Sequence, residues 1–107
     1  MKDQIALSKP EISSSSQKNM QTFIYRITNN IDVPIKQVKV NYEYYRGDSL
    51  IDVENKWISE VKALATGESV AVKGKRYLQG YENDDELDAM KYDRVLLSIT
   101  DFDTIEK

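Results

Sequence analysis

From Ile35 to Tyr44 the chain alternates with a period of two. Val38, Val40, Tyr42 and Tyr44 take every second position, and Gln37, Lys39, Asn41 and Glu43 fill the places between. Successive side chains of a strand point to opposite faces, so this stretch has one apolar and one polar face. Strands of this kind build antiparallel sheets covered on one side only, as in a β-sandwich. The rest of the chain follows the same rhythm. Residues 22–28 place Phe23, Tyr25 and Ile27 on one face, and Asn29-Asn30 then turns the chain, because Asn tolerates positive φ and bonds its own backbone. Pro34 cannot donate within a central ladder. Arg46-Gly47-Asp48-Ser49 is a hairpin turn with Gly47 supplying the unusual φ, and residues 50–53 return as a strand.

Between residues 54 and 64, Trp57, Val61 and Leu64 stand at helical spacing, but short flanking strands favour strand and loop. Thr66-Gly67-Glu68-Ser69 is a further turn, and Val70-Ala71-Val72 opens the next strand. Residues 94–102 form a closing strand, apolar on both faces in its first half, which predicts a central place covered on both sides. The pattern divides into a lead, residues 1–19, and a body, residues 20–107. The lead holds a short first strand at Gln4-Ile5-Ala6-Leu7, ended by Pro10, and a polar Ser-rich tether over residues 13–19.

Composition removes much chemistry. There is no Cys and no His in 107 residues. Disulfides, thiolate nucleophiles, sulfur-built zinc sites, triad bases and the usual transition-metal ligand are therefore excluded. A carboxylate pair could hydrolyse a glycoside, but a sandwich of this size has little room for the cleft that reaction needs. No catalytic, cofactor-binding or metal-ligating residue is assigned. A net charge of −3 argues against nucleic acid, and Lys73, Lys75 and Arg76 read as a solvated basic strand face. The acidic stretch at residues 82–88 fits no EF-hand register, since no Gly reaches the sixth position. It reads as a charged loop or a single helical turn, with Ala89 and Met90 turned inward.

No apolar run approaches the length needed to span a bilayer. Met1-Lys2-Asp3-Gln4-Ile5 leads into no apolar core segment, so it is no signal peptide. Either the protein is cytoplasmic, or Met1 stands where a signal or lipid anchor has been trimmed and the protein is extracytoplasmic, at the cell surface. In the second case any membrane attachment is through that anchor alone.

A larger pattern joins Ile27-Thr28-Asn29-Asn30, Pro34-Ile35, Val38-Lys39-Val40 and Tyr42-Glu43-Tyr44-Tyr45 to Leu50-Ile51 and Leu64-Ala65-Thr66-Gly67-Glu68-Ser69. Over residues 20–102 it resembles the FxLYD domains, immunoglobulin-like β-sandwiches found mostly in bacterial and archaeal envelope proteins and lipoproteins. Arg46 stands where that family has Asp after its Tyr, and Thr66 where Pro is common. The resemblance implies an all-β, immunoglobulin-like antiparallel sandwich of about six to seven strands. It carries over no enzymatic activity, and its signature residues serve turn geometry and core-facing aromatics.

Two features bear on binding. Arg46-Gly47-Asp48 is the tripeptide by which many adhesion ligands engage integrins, and a hairpin tip would present Arg46 and Asp48 outward; a tight turn also wants Gly-Asp for steric reasons alone. Tyr42 and Tyr44 are expected to fill the core, leaving Tyr45 on the opposite face. Tyr45, Arg46 and Asp48, with the second face of that sheet, are the candidate binding residues. The expected function is a non-catalytic binding or structural module of a bacterial extracytoplasmic surface protein or lipoprotein, with a protein or polysaccharide partner. The alternative is a small acidic cytosolic inhibitor or immunity-type protein that binds a protein partner.

Overall fold

The computed structural model describes residues 4–13, 19–78 and 83–105. The first three residues, residues 14–18 of the polar tether and Glu82 of the acidic stretch lie outside the described residues. The fold is all-β: the described residues form seven strands in two antiparallel sheets, a β-sandwich. Strands β1 (Ile5–Leu7) and β2 (Glu11–Ser13) both pair with one edge of β3 (Met20–Asn29), at its end and its beginning respectively. Pro10 separates them, so one edge is covered in two short pieces. Strand β6 (Ser69–Tyr77) pairs along the other edge of β3. The second sheet has β4 (Ile35–Arg46) at its centre, between β5 (Ser49–Trp57) and β7 (Arg94–Thr104). The one short helix among the described residues is α1 (Asp84–Ala89), capped by the Asn83 side chain, which accepts from the Glu86 amide.

The alternation in β4 works as expected. Val38, Val40, Tyr42 and Tyr44 are buried, opposite Phe23, Tyr25 and Ile27 of β3. Residues 54–64 form no helix: Ile58, Val61 and Leu64 plug the core from a loop, while Trp57 points out. Two expectations fail. Strand β7 is not central but lies at the edge of its sheet, pairing with β4 alone among the described residues. Its run of apolar residues reflects an exposed Leu96, not cover on both faces. At the end of α1, Ala89 is exposed and its C-cap Met90 only half-buried, because the helix has no buried residue.

The crossover between the sheets hangs on one side chain. Asn29 is fully buried at the end of β3. Its Nδ2 donates to the carbonyls of Val33 and Leu64, both at 2.9 Å, and its Oδ1 accepts from the Ile31 amide at 2.8 Å. These bonds shape residues 30–34 and tie them to the loop before β6, where Ile35 and Leu64 exchange backbone bonds. Asn29→Ala strands buried backbone groups and is expected to cost about 2–4 kcal/mol, read as a lowered urea midpoint with an unchanged slope. A loss below about 0.5 kcal/mol would contradict this role.

Aromatic rings fill the centre. Phe23 is surrounded by Tyr25, Tyr42, Tyr44 and Tyr92, with ring centroids 5.1 to 6.2 Å away. The Tyr25 and Tyr42 hydroxyls bond each other at 2.7 Å, and the Tyr44 hydroxyl donates to Glu54 at 2.8 Å. Burial pushes all four phenols upward, Tyr92 to about 12 even though the Arg76 charge pulls it back. A phenol held above its unfolded value of about 10 binds its proton more tightly when folded. Its contribution to stability is therefore complete below about pH 10 and is lost as pH rises through the folded values. The urea midpoint should hold steady up to that point and then fall, with tyrosinate absorbance from these rings appearing together with unfolding.

Candidate functional site on the outer face of the three-stranded sheet

Strand β5 wears its polarity inside out. Its register sets Asp52 opposite Tyr44, Glu54 opposite Tyr42 and Lys56 opposite Val40, so these three charged residues lie on the core side. Val53 then falls opposite Glu43, Trp57 opposite Lys39 and, past a bulge after Tyr44, Leu50 opposite Tyr45, all on the solvent side. The inward carboxylates are occupied. Asp52 accepts from Nε of Arg76 at 3.2 Å, while Glu54 takes the Tyr44 hydroxyl and the Lys56 ammonium, the latter at 3.0 Å. The outward residues are left to water: Leu50 is 50%, Val53 48% and Trp57 45% exposed, and Leu96 of β7, opposite Glu43, adds 43%. Single exposed apolar residues are ordinary, but these four share one sheet face, which makes it the candidate surface.

The face is built in rows across β5, β4 and β7. At one end Lys39 places its ammonium 5.5 Å from the centre of the Trp57 ring. In the middle Asn41 lies between Asn55 and Ser98, with the Thr100 hydroxyl donating to Asn55 at 3.1 Å. At the other end the Arg94 guanidinium lies 4.5 Å over the Tyr45 ring, beside Leu50. The face thus sets apolar side chains around a polar centre, with an aromatic ring under a cationic group at each end. The four phenols with displaced titration all lie in the core, and no metal-binding group of carboxylates occurs among the described residues.

The three candidates from the sequence meet at one end of this sheet in different roles. Tyr45 is half-buried and part of the face. Arg46 is exposed, but its Nη1 is engaged: it donates to the carbonyls of Asp88 at 2.9 Å and Lys91 at 3.1 Å, tying the hairpin to the end of α1 and the segment after it. Gly47 has φ +60° and its amide donates to the Asp93 carboxylate at 3.0 Å, so the turn is held from beneath. Asp48 is exposed at the mouth of a groove of about 810 Å³. This groove runs between Leu7 and Ile12 on one sheet and Val95 and Leu97 on the other.

The sequence reading missed Leu50, Val53, Trp57 and Leu96. A signal existed, since Val53 alternates with Asp52 and Glu54. Which set faces out depends on pairing, however, and pairing becomes visible only once Tyr42 and Tyr44 are fixed inward. Arg76 was missed as well. It is buried on the inner side of β6, not part of a solvated basic face, because position 76 shares the inward phase of Val72 and Gly74.

Comparison with family models, with curated proteins and with solved structures found no match for this chain. Among the described residues no helix is long and apolar enough to cross a membrane.

Proposed function

We propose that this chain is a non-catalytic binding module whose outer β5–β4–β7 face holds a protein partner. The observation that carries this reading is the register of β5, which turns the ion-paired, partly exposed Asp52, Glu54 and Lys56 to the core side of the sheet and leaves Leu50, Val53 and Trp57 about half exposed on its outer face. Exposed apolar side chains on a small domain invite aggregation unless something covers them. The β-sandwich, together with the FxLYD-like residues around Asn29, Pro34, Tyr45 and Gly67, supports an immunoglobulin-like module. The setting that fits is the extracytoplasmic face of a bacterial surface protein or lipoprotein.

The test places a photo-crosslinking residue at Val53 and, as control, at Lys73 on the opposite face, in the cells that make the protein. A discrete adduct is expected from Val53 only. Replacing Leu50 and Val53 together by Asp should abolish that partner's capture at least tenfold while leaving the urea midpoint nearly unchanged, because both side chains are solvent-facing. Equal adducts from both faces, or capture that survives the double replacement, would sink the proposal. Adducts formed only with periplasmic or surface components would support the extracytoplasmic setting, and adducts formed only with cytosolic proteins would overturn it.

A further inference from the structure

Three of the sandwich's edges carry the devices that keep strands from pairing with strangers. The β1–β2 edge is two three-residue pieces broken at Pro10. Strand β5 turns Asp52, Glu54 and Lys56 inward, and β6 has Lys73 and Lys75 outside and Arg76 inside. Short edges, inward charges and lysines all discourage edge-to-edge association. Strand β7 has none of these three, and its edge is interrupted only by a bulge. It is eleven residues long, without Pro or Lys, and its inward side is Val95, Leu97, Ile99 and Phe102. Its far side has no strand partner among the described residues, and it borders the groove by Leu7 and Ile12.

The pattern of β7 also names what fits there. The register with β4 slips between Lys39 and Val40, whose partners are Asp101 and Ile99, so Thr100 is an extra, bulged residue. Beyond it the phase resets. Arg94, Leu96 and Ser98 face outward before the bulge, and Asp101 and Asp103 after it. Read from Ser98 in either direction, the strand therefore repeats its order of faces. Laid antiparallel on a second β7 with Ser98 on a two-fold axis, Leu97 meets Ile99, Val95 meets Phe102 and Arg94 meets Asp103, each twice. The inner pairs are all apolar, and the outer ends join opposite charges. Without the bulge, Arg94 would be out of phase with Asp103.

We infer that two copies of this chain associate through β7, joining their three-stranded sheets into one six-stranded sheet. The inward Ile99 and Phe102 of each copy lie against the groove of the other, covering Leu7 and Ile12. This contact uses the strand edge, not the β5 side of the outer face, so it stands or falls independently of the partner proposed above.

Sedimentation velocity on the full chain tests it with charge swaps at exposed positions. The unaltered chain should run at twice the mass of one chain at high micromolar concentration. Arg94→Asp alone and Asp103→Arg alone each set like charges against one another at both ends, and each should weaken the dimer about tenfold or more. The double variant carrying both changes should recover it, as should a mixture of the two single variants, in which every facing pair is again opposite. A chain that stays monomeric at all concentrations overturns the inference, and so does a dimer indifferent to both single swaps. Circular dichroism of each variant separates loss of association from loss of fold.

Discussion

Gly74→Ala should lower stability by about 3 kcal/mol or more and leave little folded protein at physiological temperature. Gly74 lies opposite Phe23 in the pairing of β6 with β3. A Cβ at that position would stand closer than 3.0 Å to Cζ, Cε1 and Cε2 of the Phe23 ring. The ring cannot step aside, because four tyrosines enclose it. The missing side chain of one strand is thus the space in which the neighbour's ring lies flat. Phe23→Leu combined with Gly74→Ala should be less damaging than the two losses added together, since the clash belongs to the pair. Simple additivity in the urea midpoints would count against this account.

Arg76→Ala should cost about 3 kcal/mol, far beyond what an exposed basic residue on a strand would lose. The side chain bridges three elements. It donates to Asp52 of β5, gives a 2.7 Å bond to the Met90 carbonyl after α1, and lies 5.1 Å over the Tyr44 ring. Its head satisfies groups at the end of the aromatic core, while its stem fills space there. Arg76→Met keeps most of the stem and no charge, and should lose roughly half as much. Asp52→Ala leaves a buried guanidinium without its carboxylate, and should cost more than its own half-exposed position suggests. Equal midpoints for the Ala variant and the unaltered chain would sink this reading.

What could be read beforehand was whatever depends on neighbours in sequence. The two-residue alternation in β4 and β3, the Gly47 turn and the absence of a helix after Trp57 all rest on local rules, and all appear in the fold. Edge or centre is not local. The run from Val95 to Ile99 is equally apolar whether one neighbour flanks it or two, so β7 was misplaced. Arg76 illustrates a second limit. Its inward phase follows from Val72, yet burying a guanidinium is acceptable only because Asp52, Met90 and Tyr44 come from elsewhere in the chain. The binding face suffers most, because Asp52 and Val53 are assigned to opposite sides only when β5 is paired with β4.

The place of Trp57 has a spectroscopic consequence. The chain has one tryptophan, and it stands in water on the outer face, whereas Phe23 and four tyrosines occupy the interior. Its native-state emission is expected to lie near that of a hydrated indole, so denaturation should hardly move the emission maximum. Tyrosine signals follow the core instead. Loss of the fold and occupation of the face are therefore reported by different chromophores, and a blue shift from Trp57 in the intact protein means that something has settled over β5 and dried it.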